Sequence, residues 1–374
     1  MPSTEESAPP PAIPRIPWID LLLVVAAAVL VYLNALPNGF TLDDRPIIVD
    51  NGTVHDLSNQ VRIWLTPYWP GLVGLEAGLY RPLTIFAFAV QWALGGGDPL
   101  LFHGVSVLLH AGCSALVYAL LRLWVGRFPA LAGAGVFAVH PVHVEAVANV
   151  VGQAELLAAL FVLAAVLLHA TRPPEGPVSL GRTGLIVACY GLAMLAKEHA
   201  VVLPALLVAV DVARGRARDV GAYLRGTAGT GVVLISAAAV YLTLRWAVLG
   251  GLSGEAPAHL GFLQDPGTRI PTALALWPEY LRLLVAPRTL SFTYDPGVLP
   301  PATGFGAASA AGLLVLGVVL ALVASRRAWP AAGLGAAWFL IGVLPVSNLL
   351  LPIGTVLAER TLYLPSVALA LWVG

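Results

Sequence analysis

The chain has 374 residues, of which 58% are hydrophobic and only 11% charged, and its mean hydropathy is +0.84. Soluble domains carry about a quarter charged residues, so this composition excludes an ordinary water-soluble fold and points to an all-α polytopic membrane protein. The formal net charge is zero, which excludes a general electrostatic pull toward nucleic acid.

Residues 1–16 are rich in proline and read as a disordered cytoplasmic N-terminus; residues 17–374 read as one transmembrane domain. The first apolar run, 17–36, has no basic n-region and no small-residue cleavage site, so it reads as an anchor and not a removable signal. A large external loop, 37–101, follows. Further spans are expected at 102–121, 128–143, 153–170, 183–197, 199–212, 227–249, 304–324 and 330–347. Another begins near Thr361 and is cut short at Gly374, as in a chain truncated within a span. The total is about nine or ten helices. Cys113 and Cys189 lie in apolar runs and read as buried free thiols.

Two apolar stretches, 82–94 and 272–286, are assigned to helices lying in the plane of the outer membrane surface, the second within an external segment 250–303. The first would be only ~20 Å long as a helix against a ~30 Å hydrocarbon core. Charge agrees. With both stretches in-plane, Arg122 and Arg127, Arg172 and Arg182, the cluster Arg214, Arg216, Arg218 and Arg225, and the pair Arg326 and Arg327 all fall on the cytoplasmic side. Counting 82–94 as a span moves three basic connectors outside. The parity of crossings also requires 183–212 to divide into two short spans around Lys197-Glu198-His199.

This topology gathers other residues on the outer face. They are Asp43 and Asp44 in the first loop, Tyr80 and Arg81, His103 at the outer end of its span, and His140, His143 and Glu145. Lys197 (the chain's one lysine), Glu198 and His199, then Tyr294 and Asp295, then Glu359, Arg360 and Tyr363 complete the set. Ionisable groups at membrane depth are costly, so their convergence from distant positions suggests one site. Each has a plainer reading. Asp43-Asp44 suits a solvated turn. Lys197 suits snorkelling to headgroups, and Arg81 and Arg360 suit lipid phosphate. His110 suits packing. His140-x-x-His143-x-Glu145 has metal-like spacing, which with Asp44 makes these four the candidates for a divalent cation, the one cofactor considered. Asn51-Gly52-Thr53 is a glycosylation sequon.

The segments Asn38-Gly39-Phe40-Thr41-Leu42-Asp43-Asp44, Tyr80-Arg81-Pro82-Leu83 and His140-Pro141-Val142-His143-Val144-Glu145-Ala146-Val147 are followed by Ala196-Lys197-Glu198, Leu290-Ser291-Phe292-Thr293-Tyr294 and Glu359-Arg360-Thr361-Leu362-Tyr363-Leu364-Pro365-Ser366. In that order they resemble the GT-C superfamily of multi-span glycosyltransferases, in particular the transmembrane and tetratricopeptide-repeat O-mannosyltransferases and their bacterial relatives. The resemblance runs from Asn34 onward. It departs at Gln153, where such proteins carry arginine before the Ala154-Glu155 pair, and the tetratricopeptide repeats are not in this sequence.

The resemblance implies a GT-C-like bundle in the bacterial inner membrane or the endoplasmic reticulum, with its active face periplasmic or lumenal. The implied reaction moves a mannose-like sugar from a polyprenyl-phosphate donor to a hydroxyl acceptor, a protein Ser or Thr, by inverting displacement. Asp43 or Asp44 is then the catalytic base, and adjacent carboxylates raise one another's pKa. Arg81, Lys197 and Arg360 bind the donor phosphate. Tyr80, His103, His140, His143, Glu145, Glu198, His199, Tyr294, Glu359 and Tyr363 line the sugar and acceptor pocket. The partners are thus the lipid-linked donor, the acceptor and the bilayer. The rival readings are a secondary transporter or flippase of polyprenyl-linked lipid, and a non-catalytic lipid-binding scaffold. A transporter would place its polar groups at the midplane between inverted repeats, and neither feature is visible here.

Overall fold

A computed structural model describes residues 15–173, 179–217, 219–251 and 258–374. The N-terminal reading falls almost wholly outside the described residues, as do Arg218 and residues 252–257 of the second external segment.

Among the described residues the regular structure is entirely helical. The α-helices of seven residues or more, in chain order, are α1 (Trp18–Leu30), α2 (Pro82–Gly95), α3 (Pro99–Leu121), α4 (Arg127–Val139), α5 (Gln153–Ala170), α6 (Leu180–Ala196) and α7 (Leu203–Ala213). They continue as α8 (Val220–Leu249), α9 (Pro266–Ala275), α10 (Trp277–Val285), α11 (Ala307–Ala324), α12 (Pro330–Val343) and α13 (Val367–Val373). Every expected span is represented by a helix. Five are long and apolar enough to cross a membrane, or six if α4 and the bent turn after it count as one; α6 and α12 are shorter apolar helices. The chain is an all-α polytopic membrane protein.

The breaks have local causes. The expected span 128–143 bends by 45° after Val139. His140 precedes a proline, whose ring disfavours helical backbone at the residue before it, and His140 is extended. The expected division of 183–212 is present. α6 stops at Ala196, Lys197 is extended, and a 3₁₀ turn over Glu198–Val202 leads into α7. The expected helix 272–286 is instead two, α9 and α10, meeting at Leu276, and Pro278 in the first turn of α10 can donate no backbone hydrogen bond back across that junction.

α3 packs on α1, α4 and α5, and α5 packs on α6, which makes α3 and α5 the centre of the bundle. The window around α5 is 72% buried, whereas those of α8 and α11 are 17% buried and offer their surface to lipid. α11 lies close against α9: a Cβ on Gly312 would stand 1.8 Å from the Leu274 carbonyl oxygen, so only glycine fits there. The long loop after α1 has a core of its own. Ile47, Ile48, Val54, Ile63 and Tyr68 pack with Ile85 and Phe88 of α2, Phe102 of α3, and Val150 and Val151. This second core fixes the loop against the ends of α3 and α5. The sequon residue Asn51 is part of it: its amide donates to the Ile47 carbonyl and its side-chain oxygen accepts from Thr53 N–H, so the side chain is buried in a turn.

At the arginine-rich end, two carboxylates inside the bundle take up several basic groups. Asp20 of α1 receives both ends of the Arg127 fork at 2.8 Å and the Tyr118 hydroxyl at 2.5 Å. Asp211 of α7 receives His169, Arg172 and Tyr223 at 2.9, 2.8 and 3.1 Å. An apolar groove of about 420 Å³ also opens at this end, lined by Ile16, Leu116, Leu123, Leu168 and neighbours. Cys113 and Cys189 are free thiols.

Candidate functional site

The first loop brings Asp43 and Asp44 to the ends of α3 and α5 through a strained turn. Leu42 has φ +45°, a region that costs a side-chain-bearing residue energy. The two carboxylates then diverge in environment. Asp44 is fully buried; its Oδ2 accepts from Thr41 N–H at 3.0 Å and its Oδ1 from Val151 N–H at 2.8 Å. Burial pushes its pKa up, against those backbone donors and the nearby His103. Burial is the leading cause of that rise. Asp43 is half-buried, and its carboxylate has no hydrogen-bond partner among the described residues.

Arg81, Lys197 and Arg360 are each held by a carboxylate from a distant segment. Arg81, which enters α2, grips Glu198 with Nε at 3.0 Å and Nη2 at 2.6 Å. Lys197, where α6 ends, pairs with Glu155 in the first turn of α5; both side chains are less than 10% exposed. Arg360 pairs with Glu145 through its guanidinium, and its backbone N–H donates to the same carboxylate at 2.8 Å. Lys197 lies in the field of Arg81 and Arg360. The Tyr68 phenol lies in the field of Arg81, Asp43, Arg360 and Asp44. The aspartate pair and the cations therefore share one neighbourhood.

The remaining expected pocket residues separate into two groups. His103 is 1% exposed with both ring nitrogens unpartnered, and it sits by Asp44. Tyr294 donates to Glu359 at 2.5 Å, and Glu359 also accepts from Ser291 N–H at 2.7 Å; burial raises the Glu359 pKa despite these donors. His199 donates to the Gly342 carbonyl at 2.7 Å, 3.9 Å from Glu155 on its other nitrogen. The rest are built into the bundle. Tyr80 is 1% exposed and donates to the Trp64 carbonyl at 2.8 Å. Tyr363 and His143 are fully buried in an aromatic group with His110 and Phe137. His110 donates from Nε2 to the Ala138 carbonyl, so its Nδ1 accepts the Tyr363 hydroxyl at 2.7 Å.

The candidate metal set Asp44, His140, His143 and Glu145 does not assemble. Among the described residues no three His, Cys, Asp or Glu side chains are placed to hold an ion. The reason is local. His140 Nε2 donates to the Leu284 carbonyl and its Nδ1 accepts from Val142 N–H, which leaves no lone pair for a metal. Glu145 is engaged by Arg360, and His143 Nε2 donates to Ser366 Oγ, whose own hydrogen goes to the Tyr363 carbonyl. The two histidines flank the bend at Pro141 and turn to different partners, Leu284 and Ser366.

Two members of the site are not read from the sequence. Glu155 is the counter-ion of Lys197, and its signal is an acidic residue at the buried N-terminus of a span, where an unpaired charge is costly. Tyr68 lies in an aromatic loop stretch, Tyr68-Trp69, that carries no periodic signal.

The chain is 27% identical to protein O-mannosyl-transferase TMTC3 of Mus musculus over 95% of its own length and 42% of that protein. It is 29% identical to protein O-mannosyl-transferase TMTC4 of Homo sapiens over 94% of its length and 54% of the relative. It is 33% identical to protein O-mannosyl-transferase Tmtc2 of Drosophila melanogaster over 75% of its length and 31% of the relative. Along most of its length the chain is similar to these protein O-mannosyl-transferases. It spans about half the length, or less, of the relatives it matches. No family model matches it, and no solved structure does.

Against the arginine that the resemblance to the O-mannosyltransferases implies at position 153, this chain has a neutral pair. The amides of Gln153 and Gln91 exchange hydrogen bonds at 2.9 and 3.0 Å, and Gln153 also donates to the Phe102 carbonyl. Gln153 is fully buried and its hydrogen bonds are made within the bundle, so this position adds no cation to the group at Arg81, Lys197 and Arg360.

Proposed function

We propose that this protein transfers a sugar, mannose in the first instance, from a polyprenyl-phosphate donor to a serine or threonine hydroxyl of a protein acceptor. The reaction takes place on the membrane face opposite the arginine-rich connectors. What carries the reading is the meeting of Arg81, Lys197 and Arg360 beside Asp43, a constellation suited to an anionic leaving group and a proton acceptor. The names of the homologous relatives supply the sugar and the protein acceptor.

In this mechanism α2, α9 and α10 lie in the outer membrane surface and border the groove for the lipid tail. The acceptor hydroxyl approaches the anomeric carbon from the side away from the phosphate. Asp43 takes its proton as the new C–O bond forms and the bond to the phosphate oxygen breaks, so the configuration inverts. Polyprenyl phosphate leaves with the electron pair, and Arg81, Lys197 and Arg360 stabilise the charge that grows on it. Asp44, held by two backbone donors, positions the loop that presents Asp43. His103, Glu359 and Tyr294 face the sugar and acceptor.

The protein in proteoliposomes, given polyprenyl-phosphate mannose, glucose or galactose and a Ser/Thr-containing polypeptide, is expected to consume one donor, release polyprenyl phosphate and form a glycoside of inverted configuration. If every donor survives intact, the transferase reading fails.

A further inference from the structure

A buried tyrosine hydroxyl usually finds a partner, because an unmet donor gives up its bond to water for nothing. In this chain Tyr80, Tyr118, Tyr280 and Tyr294 all donate to protein oxygens. Tyr68 differs. Its hydroxyl is itself shut off from solvent with no hydrogen-bond partner among the described residues, and the residue is only 3% exposed. Nor is it loosely held. Its backbone N–H donates to the Leu79 carbonyl at 2.8 Å, its ring packs in the loop core, and the Arg81 guanidinium lies 4.9 Å from the ring centroid.

The surroundings identify what the hydroxyl serves. Arg81 and Arg360 are among the charges nearest in effect to the phenol, with Asp43 and Asp44 as the other two. Burial raises the phenol pKa, so the group stays protonated and can donate. Asp44 already accepts two backbone N–H groups, whereas Arg81 and Arg360, each paired with one glutamate, keep further N–H donors for an anion. We infer that Tyr68 donates its hydrogen to a phosphate oxygen of the polyprenyl-phosphate donor, a binding contact at the cation cluster that rests on the transferase reading above.

Tyr68→Phe removes only an oxygen that has no partner in the protein. Its thermal unfolding should match wild type, while affinity for polyprenyl phosphate itself, the leaving group without sugar, should fall by about tenfold or more, the size of a hydrogen bond to a charged group. The KM for the polypeptide acceptor should not change. Asp43→Asn serves as the control, expected to keep polyprenyl-phosphate affinity while losing transfer. If Tyr68→Phe binds polyprenyl phosphate as tightly as an active wild-type protein, the tyrosine contact is overturned and the transferase reading stands. If wild type neither binds polyprenyl phosphate nor transfers sugar, the transferase reading itself is overturned, and this contact with it.

Discussion

Replacing Asp43 by Asn is expected to lower sugar transfer by about 10²–10⁴-fold, the usual contribution of a positioned general base, with little change in stability. The side chain is half-buried and its carboxylate has no protein partner among the described residues, so Asn removes basicity without breaking a contact. Asp44→Asn should behave differently. Both Asp44 oxygens accept backbone N–H groups inside the protein. An amide offers one oxygen in place of two, so one N–H faces an NH₂ group. The cost is about 1–3 kcal/mol of stability, with activity falling because the loop no longer holds Asp43 in place. Transfer rates and thermal unfolding measured on both variants separate the roles. Full activity in Asp43→Asn would remove the base assignment.

The second large effect is expected at Lys197 and Glu155. Their side chains are 8% and 3% exposed, so each is a buried charge that depends on the other. Lys197→Met leaves Glu155 uncompensated, and Glu155→Gln leaves Lys197 so. Each single variant should lose about 3–5 kcal/mol. The double variant should recover much of that stability, because replacing both members of a buried pair by neutral groups is often close to neutral. Transfer should stay low in the double variant, since the cation that meets the phosphate is gone. A thermodynamic cycle over the four proteins measures the coupling. Additive losses would show that the two residues do not act as a pair.

Much of this architecture is legible in the amino-acid sequence, for physical reasons. Length and apolarity locate helices because a bilayer imposes both, and α6 ends at Ala196 where the parity of basic connectors requires a break. Grouping ionisable residues by membrane side likewise brings Arg81, Lys197 and Arg360 together with the aspartate pair. Pairing is less legible. Nothing in the sequence says that Glu145 meets Arg360 or that Glu198 holds Arg81, since those contacts are set by how helices distant in the chain pack. Side-chain direction is also hidden. His140 and His143 look like a ligand pair in the sequence, yet the bend before Pro141 turns one to a backbone carbonyl and the other to Ser366. Tyr68 escapes because its importance is a missing hydrogen bond, which depends on the three-dimensional packing around the hydroxyl and leaves no trace in residue order.

The proposed active centre requires the aspartate pair and the basic connectors to occupy opposite sides of one bilayer. Single cysteines at position 42, next to Asp43, and at position 216, in the basic connector, replace exposed or partly exposed residues and can be probed in sealed right-side-out vesicles from cells lacking Cys113 and Cys189 in this protein. A membrane-impermeant maleimide should label position 42 at once and position 216 only after the vesicles are permeabilised. Labelling of both positions from the same side would contradict this arrangement and the transfer mechanism built on it.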